Sequence, residues 1–123
     1  MFHIFVKGHF SAAHHLRNYP GNCERPHGHN WNVEITVKAK SLDSLGMGVD
    51  FRIAKKALGK VLATLDHHDL NTHKDFESIN PSSENIAVYI FNNLQGDLSS
   101  DRYSVYSVSV SETDNSGVTY FGQ

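Results

Sequence analysis

The stretch "HGHNWNVEITVKAK", residues 27–40, decides the fold. His27, His29, Trp31, Val33, Ile35, Val37 and Ala39 fall on one parity, and Asn30, Asn32, Glu34, Thr36 and Lys38 on the other. Side chains two apart on a strand point the same way, so the pattern predicts a strand with one apolar and one polar face. Upstream, "FHIFVKGHFSAAH" (residues 2–14) alternates too. Ile4, Val6, Phe10, Ala12 and His14 are in phase, against His3, Lys7, His9 and Ser11. A loop rich in Asn, Pro and Gly over residues 17–26 separates the two, which predicts an antiparallel hairpin.

Downstream the period changes. Phe51, Ala54, Leu58, Val61, Leu62 and Leu65 recur at helical spacing, with Asp50 placed to cap the helix. A second helix is predicted in "PSSENIAVYIFNNLQGDL" (81–98). Pro81, Ser82 and Glu84 suit its first turn, and Ala87, Ile90, Phe91, Leu94 and Leu98 form its stripe. "RYSVYSVSVSET" (102–113) alternates again, with Tyr106, Val108, Val110 and Glu112 in phase. "DNSG" signals a turn, and "VTYFG" closes a second hairpin. The order ββααββ predicts an α+β fold, an antiparallel sheet with two helices on one face, in a single domain over residues 1–123. Such a sheet has open edges, which natural proteins cover or pair, so a homo-oligomer is expected.

Composition narrows the function. A net charge of −2 over 123 residues gives no general attraction to nucleic acid or to an anionic membrane. No apolar run is long enough to span a bilayer, and the N-terminus does not read as a secretion signal. A single cysteine argues against a disulfide scaffold, and a cytoplasmic setting is expected. Nine histidines are the oddity.

Three of them converge. His27 and His29 share the apolar face of their strand, and His14 shares that of the preceding one. Three imidazoles therefore sit at the ends of two neighbouring faces. Three histidines with a fourth position open are the usual provision for catalytic zinc. Hydrogen-bonded core histidines are the plainer reading, and a metal held by Cys23, His27 and His29 is a rival arrangement. His3 and His9 lie on the opposite parity, His15 is one residue out of phase and His73 falls in a predicted loop.

Acid–base groups surround this set. Cys23 lies in the polar, turn-like "GNCERPHG", where neighbouring cations would favour the thiolate. Asp66 precedes His67 and His68 directly after the first helix; an Asp–His pair can shuttle a proton, and the same residues can equally form a solvated helix end. Glu112 continues the inward parity of Val108 and Val110. It needs a partner there, either a ligand with two adjacent N–H groups or an Arg or Lys of the protein.

At this point six blocks, in order, resemble the 6-pyruvoyl-tetrahydropterin synthase family: "FSAAHHL", "CERPHGHNW", "GMGVDF", "LDHHDLN", "PSSENIAVYIF" and "SVSET". The resemblance implies the tunnelling fold, in which trimers close their sheets into a barrel, often stack as hexamers, and carry active sites at subunit interfaces. It implies His14, His27 and His29 as zinc ligands, Cys23 as the catalytic cysteine with Asp66 and His67 as its partners, and Glu112 as the anchor of a pterin ring. The three-residue gap between Cys23 and His27, like "LDHHDLN", resembles the bacterial 6-carboxy-tetrahydropterin synthases of queuosine biosynthesis. The implied activity converts 7,8-dihydroneopterin triphosphate to 6-carboxytetrahydropterin, acetaldehyde and triphosphate. A 6-pyruvoyl-tetrahydropterin synthase, or a non-catalytic zinc-binding module, is the alternative. Ser82 and Ser83 stand where many relatives carry threonines. Among the basic residues, Lys7, Arg17, Arg25 and Lys74 are candidates for a triphosphate, and no motif fixes them.

Overall fold

The computed structural model describes residues 1–19 and 27–122, with the backbone alone at His27. The two alternating stretches form the predicted hairpin: β1 (Phe2–His14) pairs antiparallel with β2 (His27–Ala39) in one unbroken register from Phe2↔Ala39 to His14↔His27. From Trp31 to Ala39 the apolar parity of β2 is buried, with Trp31 and Ile35 fully so. In β1 that parity includes Gly8, where the strand crosses the first helix closely. A Cβ there would stand 2.9 Å from Leu62 Cδ1.

Helix α1 (Phe51–Ala63) begins where expected. The Asp50 carboxylate accepts from the Arg52 N–H and pairs with its guanidinium, which holds the Asp50 carboxyl below its ordinary range. Its buried residues, Ala54, Ala57, Leu58, Val61 and Leu62, lie one helical face apart and pack on β1. Helix α2 (Ser83–Leu94) packs on the later strands β4 (Tyr103–Thr113) and β5 (Ser116–Tyr120), and Ser82 is its cap, accepting from Asn85 N–H. Ile86 joins the predicted stripe in the core, while Phe91 is partly buried against Tyr120. One apolar cluster fills the space between sheet and helices. Burying a side chain the size of Leu or Ile there contributes about 1.5–3 kcal/mol, which is why sheet and helices commit to a single arrangement.

The fold is α+β as predicted, with two additions. A two-residue strand β3 (His68–Asp69) joins the sheet parallel to β1 at Ala12 and Ala13, so the order is β3-β1-β2-β4-β5 rather than four antiparallel strands. Its brevity leaves no periodicity to read. The second addition corrects a parity. β4 faces β2 with Val105 opposite Val37 but Ser107 opposite Thr36, so Tyr106 is an extra, bulged residue. It leaves the phase of Val108 and Val110 and stacks on His3, ring centroids 4.4 Å apart. Among the described residues no helix is long and apolar enough to cross a membrane.

Candidate active site and metal centre

The hairpin register sets the site. Ala12 faces His29 and His14 faces His27 at the same end of the sheet. The His14 ring is 1% exposed and touches Trp31 edge-on, as does His29. Its Nδ1 lies 2.7 Å from the Pro81 carbonyl oxygen just before α2. A carbonyl can only accept, so Nδ1 carries a proton and Nε2 is the nitrogen turned into the site. Metal-binding histidines are commonly oriented in this way.

Glu112 completes the group. Its Oε2 lies 3.0 Å from His29 Nε2 and its Oε1 3.6 Å from His14 Nε2. The ligand atoms of His14, His29 and Glu112 all fall within 4.8 Å of one another. The expected inward parity of Glu112 holds, but its partners are imidazoles, neither Arg nor Lys. Two imidazole nitrogens and a carboxylate converging on one point form a donor set that fits a borderline metal such as zinc. His27 holds the register position opposite His14; its side chain lies outside the described residues. Cys23 also lies outside them, and with it the rival set of Cys23, His27 and His29.

Asp66 and His67 form the second feature. After α1 the chain turns, and His67 takes a left-handed backbone with φ 58°. Ser11 holds this corner at both peptide groups. Its N–H donates to Asp66 Oδ1 at 2.9 Å, and its carbonyl accepts from His67 N–H at 2.6 Å. The other Asp66 oxygen is 3.5 Å from His67 Nε2, and His68 Nδ1 donates back to the Asp66 carbonyl. Asp66 is thus a structural acceptor as well as a partner for the ring. A cleft of about 480 Å³ runs between the two features, lined by Ser11, Ala13, Gly28, His29, Asn30 and His67 among others.

Two contributors carried no signal by residue type: the Pro81 carbonyl orients His14, and the Ser11 backbone holds Asp66 and His67. Ser83, one of the two serines noted in the sequence, stands with its Oγ 3.5 Å from Glu112 Oε1. Of the basic candidates, Arg17 is committed to backbone, donating to the carbonyls of Ile79 and Asn71. His73 is structural too. Its Nδ1 accepts from Asp75 N–H and its ring packs on Phe76 and Tyr89.

Comparison with known proteins gives one family. Residues 3–123 match the family described as 6-pyruvoyl tetrahydropterin synthase. The 6-carboxy-5,6,7,8-tetrahydropterin synthase of Bacillus subtilis is 37% identical over 119 residues, covering 91% of this chain and 80% of that protein. The human 6-pyruvoyl tetrahydrobiopterin synthase is 36% identical over 128 residues, covering 93% and 87%. In three dimensions the 6-pyruvoyl tetrahydropterin synthase of Caenorhabditis elegans superposes with a TM-score of 0.89 at 29% identity, over 99% of this chain and 96% of that one.

Proposed function

Because the chain belongs to the 6-pyruvoyl tetrahydropterin synthase family, we propose that it is a pterin synthase acting on 7,8-dihydroneopterin triphosphate. The product we assign is 6-carboxytetrahydropterin, with acetaldehyde and triphosphate released. The observation that carries this reading is the cluster of His14, His29 and Glu112, with the ring of His14 oriented by Pro81. His14, His27 and His29 would hold a zinc ion. Bound there, zinc would supply Lewis-acid polarisation of the substrate's side-chain oxygens.

The remaining steps fall to the chain's own groups. Glu112 offers two oxygens to the two N–H groups of the pyrimidine edge, a bidentate charge-assisted pair. Cys23, as thiolate, takes a proton from the substrate side chain. His67, oriented by Asp66, moves a second proton across the cleft that it lines together with His29. Hydride equivalents pass formally from side chain to ring, so no external redox cofactor is required. The three-residue Cys23–His27 gap and the bacterial relatives favour the carboxy product. The pyruvoyl ending remains the second reading, carried by relatives such as the human protein.

Assembly is part of the proposal. β3 covers β1 only at Ala12 and Ala13, and β5 forms the far edge of the sheet. Such edges suit pairing between copies, and we assign a homo-oligomer, trimeric or hexameric, in the cytoplasm. The decisive experiment incubates the purified protein with dihydroneopterin triphosphate, with and without a chelator, and identifies the products by mass spectrometry. Acetaldehyde with a 6-carboxy pterin, lost on chelation, is expected. A diketo side chain would transfer the assignment to the pyruvoyl branch. No turnover in either arm would overturn the enzyme reading.

A further inference from the structure

Glu112 is aimed by the backbone at the two imidazoles. The pairing of β4 with β5 slips between Val110 and Thr113, so that two residues of β4 oppose the single Gly117. A side chain at Gly117 would collide there, with a Cβ only 2.8 Å from the Val110 carbonyl. Beside this bulge Glu112 keeps the inward parity of Val108 and Val110 and gives each of its oxygens to a different histidine, Oε1 to His14 and Oε2 to His29. An ordinary ion pair with one protonated ring needs only one of those contacts.

The spacing is that of ligands sharing an ion. A four-coordinate zinc with bonds of about 2.0–2.2 Å keeps neighbouring ligand atoms roughly 3.3–3.6 Å apart. Oε2 lies 3.0 Å from His29 Nε2 and Oε1 3.6 Å from His14 Nε2, and one donor atom from each of the three residues falls within 4.8 Å of the others, so a small turn of the carboxylate places a single oxygen on that edge to both rings. The Glu112 side chain is also 30% exposed, so it has a route outward as well as inward.

We infer that Glu112 is the fourth, displaceable ligand of the metal in the substrate-free protein. At rest its carboxylate closes the coordination shell of the three histidines. When a pterin arrives, the two N–H groups of its pyrimidine edge draw the same carboxylate away, and the position opens for the substrate's oxygens. One side chain thus couples recognition of the ring to opening of the metal. This rests on the proposed zinc site, and the experiment separates the two.

Metal-stripped wild type, Glu112→Gln and His29→Ala are titrated with Co²⁺ in the absence of substrate, following its visible absorption. Thermal melts of the stripped forms check folding. The Gln variant matches the shape of Glu and the position is partly exposed, so folding is expected to persist. Glu112→Gln should bind Co²⁺ roughly tenfold or more weakly and give an altered spectrum. Pterin itself, which has no side-chain hydroxyls, should shift the wild-type spectrum towards that of Glu112→Gln and leave the variant unmoved. Equal affinity and identical spectra for wild type and Glu112→Gln would overturn the inference while leaving the histidine site standing. A wild-type spectrum that saturating pterin does not move would overturn the displacement. If His29→Ala binds Co²⁺ as tightly as wild type, the histidine site itself fails, and the inference with it.

Discussion

His14 and His67 lie at the same end of β1 and are built in opposite ways. His14 sits within the strand, is 1% exposed, and has its ring oriented by a carbonyl. His67 sits on a left-handed turn with its side chain 81% exposed, held by its backbone N–H rather than by its ring. The contrast matches the two tasks proposed for them. A metal ligand must not move, since its affinity depends on a lone pair kept in one direction. A proton carrier must reach substrate and exchange with solvent. Breaking the rigid member should have the largest effect. His14→Ala removes a proposed ligand and leaves the Pro81 carbonyl without its buried donor, which alone costs about 1–3 kcal/mol. Metal analysis of the purified variant should find it depleted, and turnover should fall by more than about 100-fold. Full metal content in that variant would reverse the roles assigned to the two rings.

The exposed member should fail differently. His67→Ala is expected to keep its metal while turnover drops by about 10²–10⁴-fold; loss of metal would show that the two corners are one unit. The strained backbone gives an independent handle. A left-handed residue other than glycine costs roughly 1–2 kcal/mol, so His67→Gly should be more stable than His67→Ala by about that amount in denaturant unfolding, at equal loss of activity. Asp66→Asn sharpens the comparison further. Its side-chain oxygen can still accept from Ser11 N–H, so the melting temperature should hold, while the partner charge for His67 is gone. Turnover should fall, by less than in His67→Ala, because the ring keeps its place on the turn and loses only the partner that orients it.

The same contrast explains what could be read from the sequence. Alternation has a period of two, so one apolar neighbour fixes the facing of every residue in a strand. His14, His29 and Glu112 followed from Phe10, Trp31 and Val110 in that way. Tyr106 broke the rule because a bulge adds one residue without any change of residue type. The Pro81 carbonyl was invisible for a different reason. Every residue has a carbonyl, and this one lies 67 positions from the ring it orients. β3 was lost to brevity, and the turn at His67 to its residue type, since a histidine does not announce a positive φ as glycine does. Neither the family resemblance nor the strand pattern indicated that the carboxylate of Glu112 would stand between the imidazoles.

The smallest effects should come from two adjacent hydroxyls, Ser82 and Ser83, which support the rigid corner by separate routes. Ser82 Oγ caps α2, while Ser83 Oγ stands 3.5 Å from Glu112 and caps nothing. Ser82→Ala should therefore cost about 1 kcal/mol of stability, a shift of a few degrees in melting temperature. Ser83→Ala should stay within about 0.5 kcal/mol of wild type and instead alter the affinity for a pterin, because the carboxylate loses a hydrogen-bonding neighbour at Oε1. Melting curves and pterin titrations on both variants decide the matter. If Ser82→Ala also weakens metal binding, the cap is carrying the position of Pro81, and the rigidity of His14 is borrowed from the helix rather than from the strand. If Ser83→Ala changes neither quantity, Glu112 is held by the imidazoles and the bulge alone, and the two corners differ even more sharply than their exposures indicate.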